Sequence, residues 1–288
     1  MLITVSLLTY NSRAFVLRCL ASLLAQEGVR LEVVVIDNAS ADGTADLVAR
    51  EFPHVRLIRN RQNLYFARGH NGILDHVAGD AVLLLNPDVV FPRRDVLKGM
   101  ADALAADPTV GACTCAQDDP DRGGELDIAR RPQTLSSLLG WFTFLGMLFP
   151  RLRTSRGIDP GGSDARTSVE MVLGSCVLIR ASLFRDLRGF DPAFRLYFTD
   201  DELCLRLRRL GYRIVLMRDF RAHHFRSHAL KQLPLDVLFR TIHYDMRQFV
   251  RRHRPFHVRL LLPMLAFLTW VGWRGLQALL PLPIPRPF

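Results

Sequence analysis

The stretch Val82-Leu83-Leu84-Leu85-Asn86-Pro87-Asp88-Val89 decides the fold. Four apolar residues in a row read as a strand buried on both faces, as found inside parallel sheets. The proline that follows has no N–H and stops sheet pairing. Asp88 then falls just past a strand end, where open α/β sheets place their ligands. Asn, Pro and Asp also favour plain turns, so the neighbouring segments must decide between a turn and a site.

Moving outward from this strand, segments of strand and helix character alternate. Ile3–Leu8, Leu31–Ile36, Val55–Arg59 and Ala81–Leu85 read as strands. Ser12–Gln26, Thr44–Glu51, Phe66–His76 and Arg94–Ala106 carry helical spacing. This alternation predicts an α/β fold, a mainly parallel sheet flanked by helices. Beyond Cys115 the pattern loosens. Gln117–Arg131 reads as a loop, Leu135–Phe149 is strongly apolar, and Arg151–Ser168 has the composition of a mobile connection. Val169–Arg180 is strand-like, Ala181–Leu187 and Asp201–Leu210 are helical, and Tyr212–Met217 reads as a final strand. After His228 the character changes. Leu235–His253 is an Arg-rich helix, and His257–Leu280 is Leu-rich with Trp270 and Trp273. The chain therefore divides into residues 1–228 and a C-terminal apolar and basic helical extension, residues 229–288, expected to lie on a membrane surface.

The 288 residues carry a formal net charge of +10. Only Lys98 and Lys231 are lysines, so the positive charge is almost all arginine. Such a balance suits an anionic partner: a phosphorylated ligand, an acidic membrane surface or nucleic acid. No basic-aromatic strand platform or helix-turn-helix pattern supports nucleic acid. Five cysteines at scattered positions complete no zinc pattern and read as buried, reduced thiols. Met1–Leu8 lacks a basic leader region and reads as the first strand.

Four polar constellations fall after strands. Thr9-Tyr10-Asn11 follows the first, and Asp37-Asn38-Ala39-Ser40 follows the second. A carboxylate at Asp37 can accept from a nucleobase N–H or a ribose hydroxyl; capping of the next helix is the plainer role. Asn63 and Arg68, with two glycines, sit at a helix start suited to phosphate. Asn86-Pro87-Asp88 is the fourth. A dinucleotide site would need a glycine-rich turn after the first strand, and Thr9–Arg13 has no glycine. Further on, Thr199-Asp200-Asp201-Glu202 opens a helix, where part of the acid cluster serves as first-turn charge and Asp200 is free for another task. His223 and His224 follow the last predicted strand.

Taken in order, VSLLTYNS, VVVIDNASADGT, NLYFARGHNG, LLLNPDV, GSCVLIR, GFDPAFRLYFTDDELCLRLRRLGYRI and AHHFRS resemble the family 2 glycosyltransferases of GT-A fold, closest to the bacterial rhamnosyltransferase-like subgroup. The resemblance covers about Ile3 to Ser227. It implies that Thr9, Asn11 and Asp37 line the nucleotide pocket, with Asn63 and Arg68 close by. It implies that Asp88 is the last acid of a DXD-type motif and binds the sugar nucleotide through a divalent metal, Mg²⁺ or Mn²⁺, with His223 joining that metal. Asp200 matches the catalytic base, with Asp201 next in line. Three positions depart from the family pattern: Thr199 replaces its Glu, Glu202 its later Asp, and Asn86 the first acid of DXD. The implied activity is an inverting hexosyl transfer from a nucleotide-diphosphate sugar, best dTDP-rhamnose, to a polyprenyl-diphosphate-linked or polysaccharide acceptor in cell-envelope synthesis. The implied location is the cytoplasmic face of the plasma membrane, with a homodimer left open. The alternative is a non-catalytic nucleotide-sugar-binding or membrane scaffold protein that keeps the fold.

Overall fold

In the computed structural model the described residues are 1–143, 145–149, 151, 164–225 and 235–279. Most of the Arg151–Ser168 stretch, the 228/229 boundary and the Pro-rich end lie outside them. The first half winds as β1 (Leu2–Thr9), α1 (Val16–Leu24), β2 (Arg30–Asp37), α2 (Thr44–Glu51), β3 (Arg56–Arg59), α3 (Tyr65–Asn71) and β4 (Ala81–Leu85). These four strands pair in parallel in the order β3-β2-β1-β4. The chain leaves β1 toward β2 and β3, then crosses back to lay β4 on the other side of β1. The carboxyl ends of β1 and β4 therefore flank a topological switch point, where an open α/β sheet forms a crevice. β4 is fully buried along its length, which explains the unbroken apolar run.

The second half adds β5 (Val89–Val90), α4 (Val96–Ala106), β6 (Val110–Asp118), β7 (Ala129–Arg130), α5 (Leu135–Phe142) and α6 (Leu145–Leu148). Then come β8 (Arg166–Val169), β9 (Met171–Val172), β10 (Cys176–Arg180), α7 (Ala181–Asp186), α8 (Thr199–Arg209) and β11 (Arg213–His224). β10 enters antiparallel between β4 and β6, and β11 lies parallel to β6. The sheet is thus parallel on one side and mixed on the other. The expected final strand at Tyr212–Met217 runs on to His224, past an irregularity between Met217 and Arg221. The apolar Leu135–Phe149 run forms α5 and α6, with Thr134 and Ser137 making a reciprocal cap at the start.

Each face of the sheet buries its own apolar layer. Ile3, Val5 and Leu7 of β1 pack toward α1 and α4; Leu8, Val34 and Ile36 pack toward Ala67 of α3 and Leu203 of α8. The last two helices, α9 (Leu235–His253) and α10 (Phe256–Leu279), build a third cluster. There Ile242, Met246 and Phe249 meet Phe194 and Phe198 from the segment leading into α8. All five cysteines are buried and free.

Candidate functional site

At the carboxyl ends of β1 and β2, Asp37 is 3% exposed and nearly filled with donors. Its Oδ1 accepts from the Thr9 hydroxyl at 2.9 Å and the Ser40 hydroxyl at 2.6 Å; Oδ2 accepts from the Ser40 N–H at 2.9 Å. The Ser40 Oγ in turn accepts from the Asn11 N–H, and Asn11 Oδ1 from the Ala41 N–H. Thr9, Asn11 and Asp37 are thereby locked into one network. A carboxylate offers about four lone-pair sites, so Oδ2 keeps room for one more donor. Asn11 and Ala39 both have positive φ, at 47° and 60°, a left-handed strain of about 1–2 kcal/mol per residue that such a network holds in place.

Asn38 is the neighbour the sequence reading passed over. Its amide donates to the Tyr65 carbonyl and accepts from Asn60. Asn63 Oδ1 receives the Tyr65 N–H and so fixes the entry to α3. Arg68 is exposed on the outer side of that helix, where its Nε donates to the Pro192 carbonyl at 3.0 Å. Asn63 thus joins the crevice wall through Tyr65, and Arg68 ties α3 to the segment before α8.

Asp88 is 7% exposed at the end of β4. β5 pairs antiparallel with the end of β11, matching His224 with Val89 and His223 with Val90. Successive residues of a strand face opposite sides. His224 therefore meets Asp88, with Nε2 at 3.4 Å from Oδ1, while His223 turns to Asp118 at 3.3 Å. The extension of β11 past the bulge decides which histidine faces Asp88; alternation of Ala222 and His224 was the sequence signal. Asp88 Oδ1 is buried without a hydrogen-bond partner, and His224 Nε2 is the ring nitrogen turned toward it; Asp118 Oδ1 and His223 Nδ1 form a second unpartnered pair. The Asp88–His224 pair, at the end of β4, fits a divalent cation that would take its remaining ligands from diphosphate oxygens. Among the described residues no cluster of three His, Cys, Asp or Glu side chains forms a complete protein cage.

Asp200 stands in the first turn of α8, half-buried, beside the turn between β9 and β10. Burial pushes its carboxyl up to about 6, with the Asp201 charge adding; the Gly174 N–H, the Thr199 hydroxyl and Arg130 act in the opposite direction. The approach to Gly174 is so close that a Cβ there would lie 2.5 Å from Asp200 Oδ1. Next to it, the Ser175 carbonyl accepts the Asn86 N–H at 2.9 Å. One turn, residues 173–175, thus touches both the Asp200 carboxyl and the base of the Asn86–Asp88 segment. Gly174 opens the GSCVLIR stretch, but the reason for a glycine there arises only from this tertiary approach.

The segment before α8 is held from outside by α9. Asp245, fully buried, accepts the N–H groups of Arg195, Leu196 and Tyr197 at 2.8–2.9 Å. Burial raises its carboxyl, and the three N–H groups and Arg195 oppose that shift. The Arg195 guanidinium lies 4.2 Å over Tyr244 and 5.4 Å over Tyr65, and its carbonyl accepts from the Phe66 N–H. Phe198 enters α8 at φ 60° and stacks on Phe249. An acid among Ile242, Met246 and Phe249 on one helix face was the signal for Asp245.

The fold has counterparts among solved structures. Structural likeness to the mannosyltransferase PcManGT of Pyrobaculum calidifontis, solved with GDP-Man and Mn²⁺, has a TM-score of 0.59 at 22% identity, covering 99% of this chain and 76% of that one. For TarS of S. aureus with UDP-GlcNAc the TM-score is 0.56 at 17% identity, covering 87% and 67%. These share the GT-A fold. In sequence, the N-acetylglucosaminyl-diphospho-decaprenol L-rhamnosyltransferase of Mycobacterium tuberculosis is 28% identical over 247 residues, 80% of this chain and 78% of that one. The rhamnosyltransferase WbbL of Escherichia coli is 27% identical over 149 residues, 52% and 53%. The family model for glycosyl transferase family 2 matches residues 4–188, from β1 through α7, including the Thr9–Asp37 network and Asp88. By that match the chain belongs to glycosyl transferase family 2.

Proposed function

We propose that this glycosyltransferase performs an inverting hexosyl transfer, with dTDP-rhamnose as donor and a lipid-linked saccharide as acceptor, in cell-envelope glycan synthesis. The observation that carries the reading is the raised Asp200 carboxyl on the turn that also anchors the Asn86–Asp88 segment. Two relatives named as rhamnosyltransferases, one acting on a diphospho-decaprenol carrier, support the donor and acceptor.

In this mechanism Thr9, Asn11 and Asp37 receive the nucleoside, and Asn63 shapes the adjoining wall. Arg68 holds the segment that leads to Asp200. Asp88 and His224 would hold a divalent ion, Mg²⁺ or Mn²⁺, whose chemistry is to neutralise the departing diphosphate. Asp200 takes the proton of the acceptor hydroxyl as that oxygen bonds to the anomeric carbon. The bond from that carbon to the diphosphate breaks on the opposite face, and the nucleoside diphosphate leaves with the electron pair. A base at this position contributes roughly 10²- to 10⁴-fold.

The acceptor reading also draws on α10. Val258, Leu262 and Ala266 on one face are buried in the third cluster, while Phe256, Leu260, Met264, Phe267, Leu268 and Val271 are exposed on the rest. An apolar face of this extent calls for a partner, and with the neighbouring arginines it suits the surface of an anionic membrane. Among the described residues no helix is long and apolar enough to cross one. The chain is accordingly proposed to work as a peripheral protein on the inner face of the plasma membrane.

The test is a transfer assay with dTDP-rhamnose and polyprenyl-diphosphate-linked N-acetylglucosamine, reading the anomeric configuration of the product by NMR. Product of inverted configuration is expected. Retained configuration, or no transfer from any dTDP, UDP or GDP sugar, would contradict the proposal.

A further inference from the structure

Between α8, β9 and the last turn of α9 lies a cleft of about 280 Å³. Asp201, adjacent to Asp200 in sequence, is among its lining residues. Arg208, Arg209, His253 and Arg254 line it as well, together with Glu170. Its volume falls just short of the ~300–1,000 Å³ of drug-sized pockets, which suits a small polar group better than a nucleotide.

The walls offer more donors than acceptors. Glu170 is paired with Arg208 at 3.2 Å. Arg209 Nη1 lies 3.3 Å from His253 Nδ1, and burial with the nearby Arg209 and Arg252 charges pushes the His253 ring down to about 4, so it is neutral at pH 7. With Nδ1 accepting from Arg209, the ring proton sits on Nε2. That atom is buried without a hydrogen bond and faces Glu202 Oε1 at 3.8 Å, while Glu202 Oε2 holds Arg206. Arg254 spends one Nη2 hydrogen on the Gln133 carbonyl, and its Nε is buried with no partner. Orphaned donors beside surplus guanidinium groups mark a place that an anion would complete.

The position of the cleft narrows the choice of anion. Its lining includes Asp201, which follows the proposed base in sequence, and Arg254, which precedes by two residues Phe256, where the exposed apolar stripe of α10 begins. A lipid-linked saccharide needs a place for its hydroxyl, its phosphate and its hydrocarbon chain, and Asp200, the cleft and α10, linked along the chain through Asp201 and Arg254, offer the three.

We infer that this cleft binds the phosphate or diphosphate group of a lipid-linked acceptor, with Arg209 and Arg254 as its donors. The inference rests on the glycosyltransferase reading and names how that enzyme selects its acceptor.

The test compares N-acetylglucosamine on a short polyprenyl diphosphate with the same sugar on an uncharged alkyl chain. The wild type should prefer the diphosphate acceptor in kcat/KM. Arg209→Gln, a surface change, and Arg254→Gln should each cut that preference about tenfold, the worth of a charge-assisted hydrogen bond. Rates on the uncharged acceptor, which report folding and chemistry, should hold within about twofold, since these groups serve only the anion. An unchanged preference in Arg209→Gln and Arg254→Gln overturns the inference. Inorganic pyrophosphate should compete with the acceptor; competition with the donor alone, which the Asp88 site would give by itself, would overturn it too. Loss of transfer to both acceptors by the wild type, with no hydrolysis of any sugar nucleotide, would instead bring down the enzyme reading on which the inference stands.

Discussion

At the scale of single residues, the account turns on Asp200 and the glycine against it. A base must be unprotonated to accept the acceptor's proton. Since burial lifts the Asp200 carboxyl to about 6, the active fraction should fall as pH drops through 6, well above the usual aspartate range. The acid limb of kcat/KM against pH should therefore show an apparent value near 6. Asp200→Asn should lower transfer by roughly 10²- to 10⁴-fold with donor affinity unchanged in titration calorimetry. Near-normal turnover would move the base to Asp201. Gly174→Ala places a methyl 2.5 Å from Asp200 Oδ1, so the carboxyl must shift. A displacement of about 1 Å can cost on the order of 10²-fold, and kcat should fall with donor affinity preserved. The placement of Asp37 and Asp88 at strand ends was legible from the chain, because Asp37 directly follows one strongly apolar run and Asp88 comes three residues after another. The role of Gly174 was not, although it opens the quoted GSCVLIR stretch, because nothing local demands a glycine there.

At the scale of elements, β11 and α9 show why some of the site was hidden. The sequence reading stopped the last strand at Met217, where the polar Arg218-Asp219 pair interrupts the apolar run. The strand resumes after the bulge, and this sets His224 rather than His223 against Asp88. The Leu235–His253 helix was legible to the residue from its periodicity, yet its use was not. Asp245 reaches across about fifty residues to bind three consecutive amides. Asp245→Ala would strand those N–H groups in a buried place. At about 1–3 kcal/mol for an unsatisfied buried group, and more than one group affected, a loss of roughly 3 kcal/mol is expected in urea unfolding. Since the clamped segment opens onto α8, kcat should fall as well. A loss under 0.5 kcal/mol with unchanged kcat would show that the clamp holds nothing that matters.

At the scale of the whole molecule, a parallel half-sheet supplies the crevice proposed to take the nucleotide, a mixed half supplies β10, β11 and α8, and two C-terminal helices cover the segment before α8. The apolar outer face of α10 continues the same surface. Sedimentation with vesicles containing anionic phosphatidylglycerol should carry the full chain down, and Leu260→Glu with Phe267→Glu should leave it in solution. Binding should weaken as salt rises, since the arginine share is screened over about 10 Å at 0.1 M. Wild-type protein that stays in solution at low salt would contradict membrane docking. The α/β architecture was legible because periodicity is a local signal; the cover provided by α9 was not, because its contacts join distant parts of the chain. The measurement that tests the central claim most directly is the thermal shift of wild type, Asp88→Ala, His224→Ala and His223→Ala with UDP, dTDP and GDP sugars, with and without Mn²⁺. The account predicts a metal-dependent stabilisation by one nucleotide class, lost in Asp88→Ala, weakened in His224→Ala and kept in His223→Ala. Absence of any nucleotide shift in the wild type, or a full metal-dependent shift in Asp88→Ala, would contradict it.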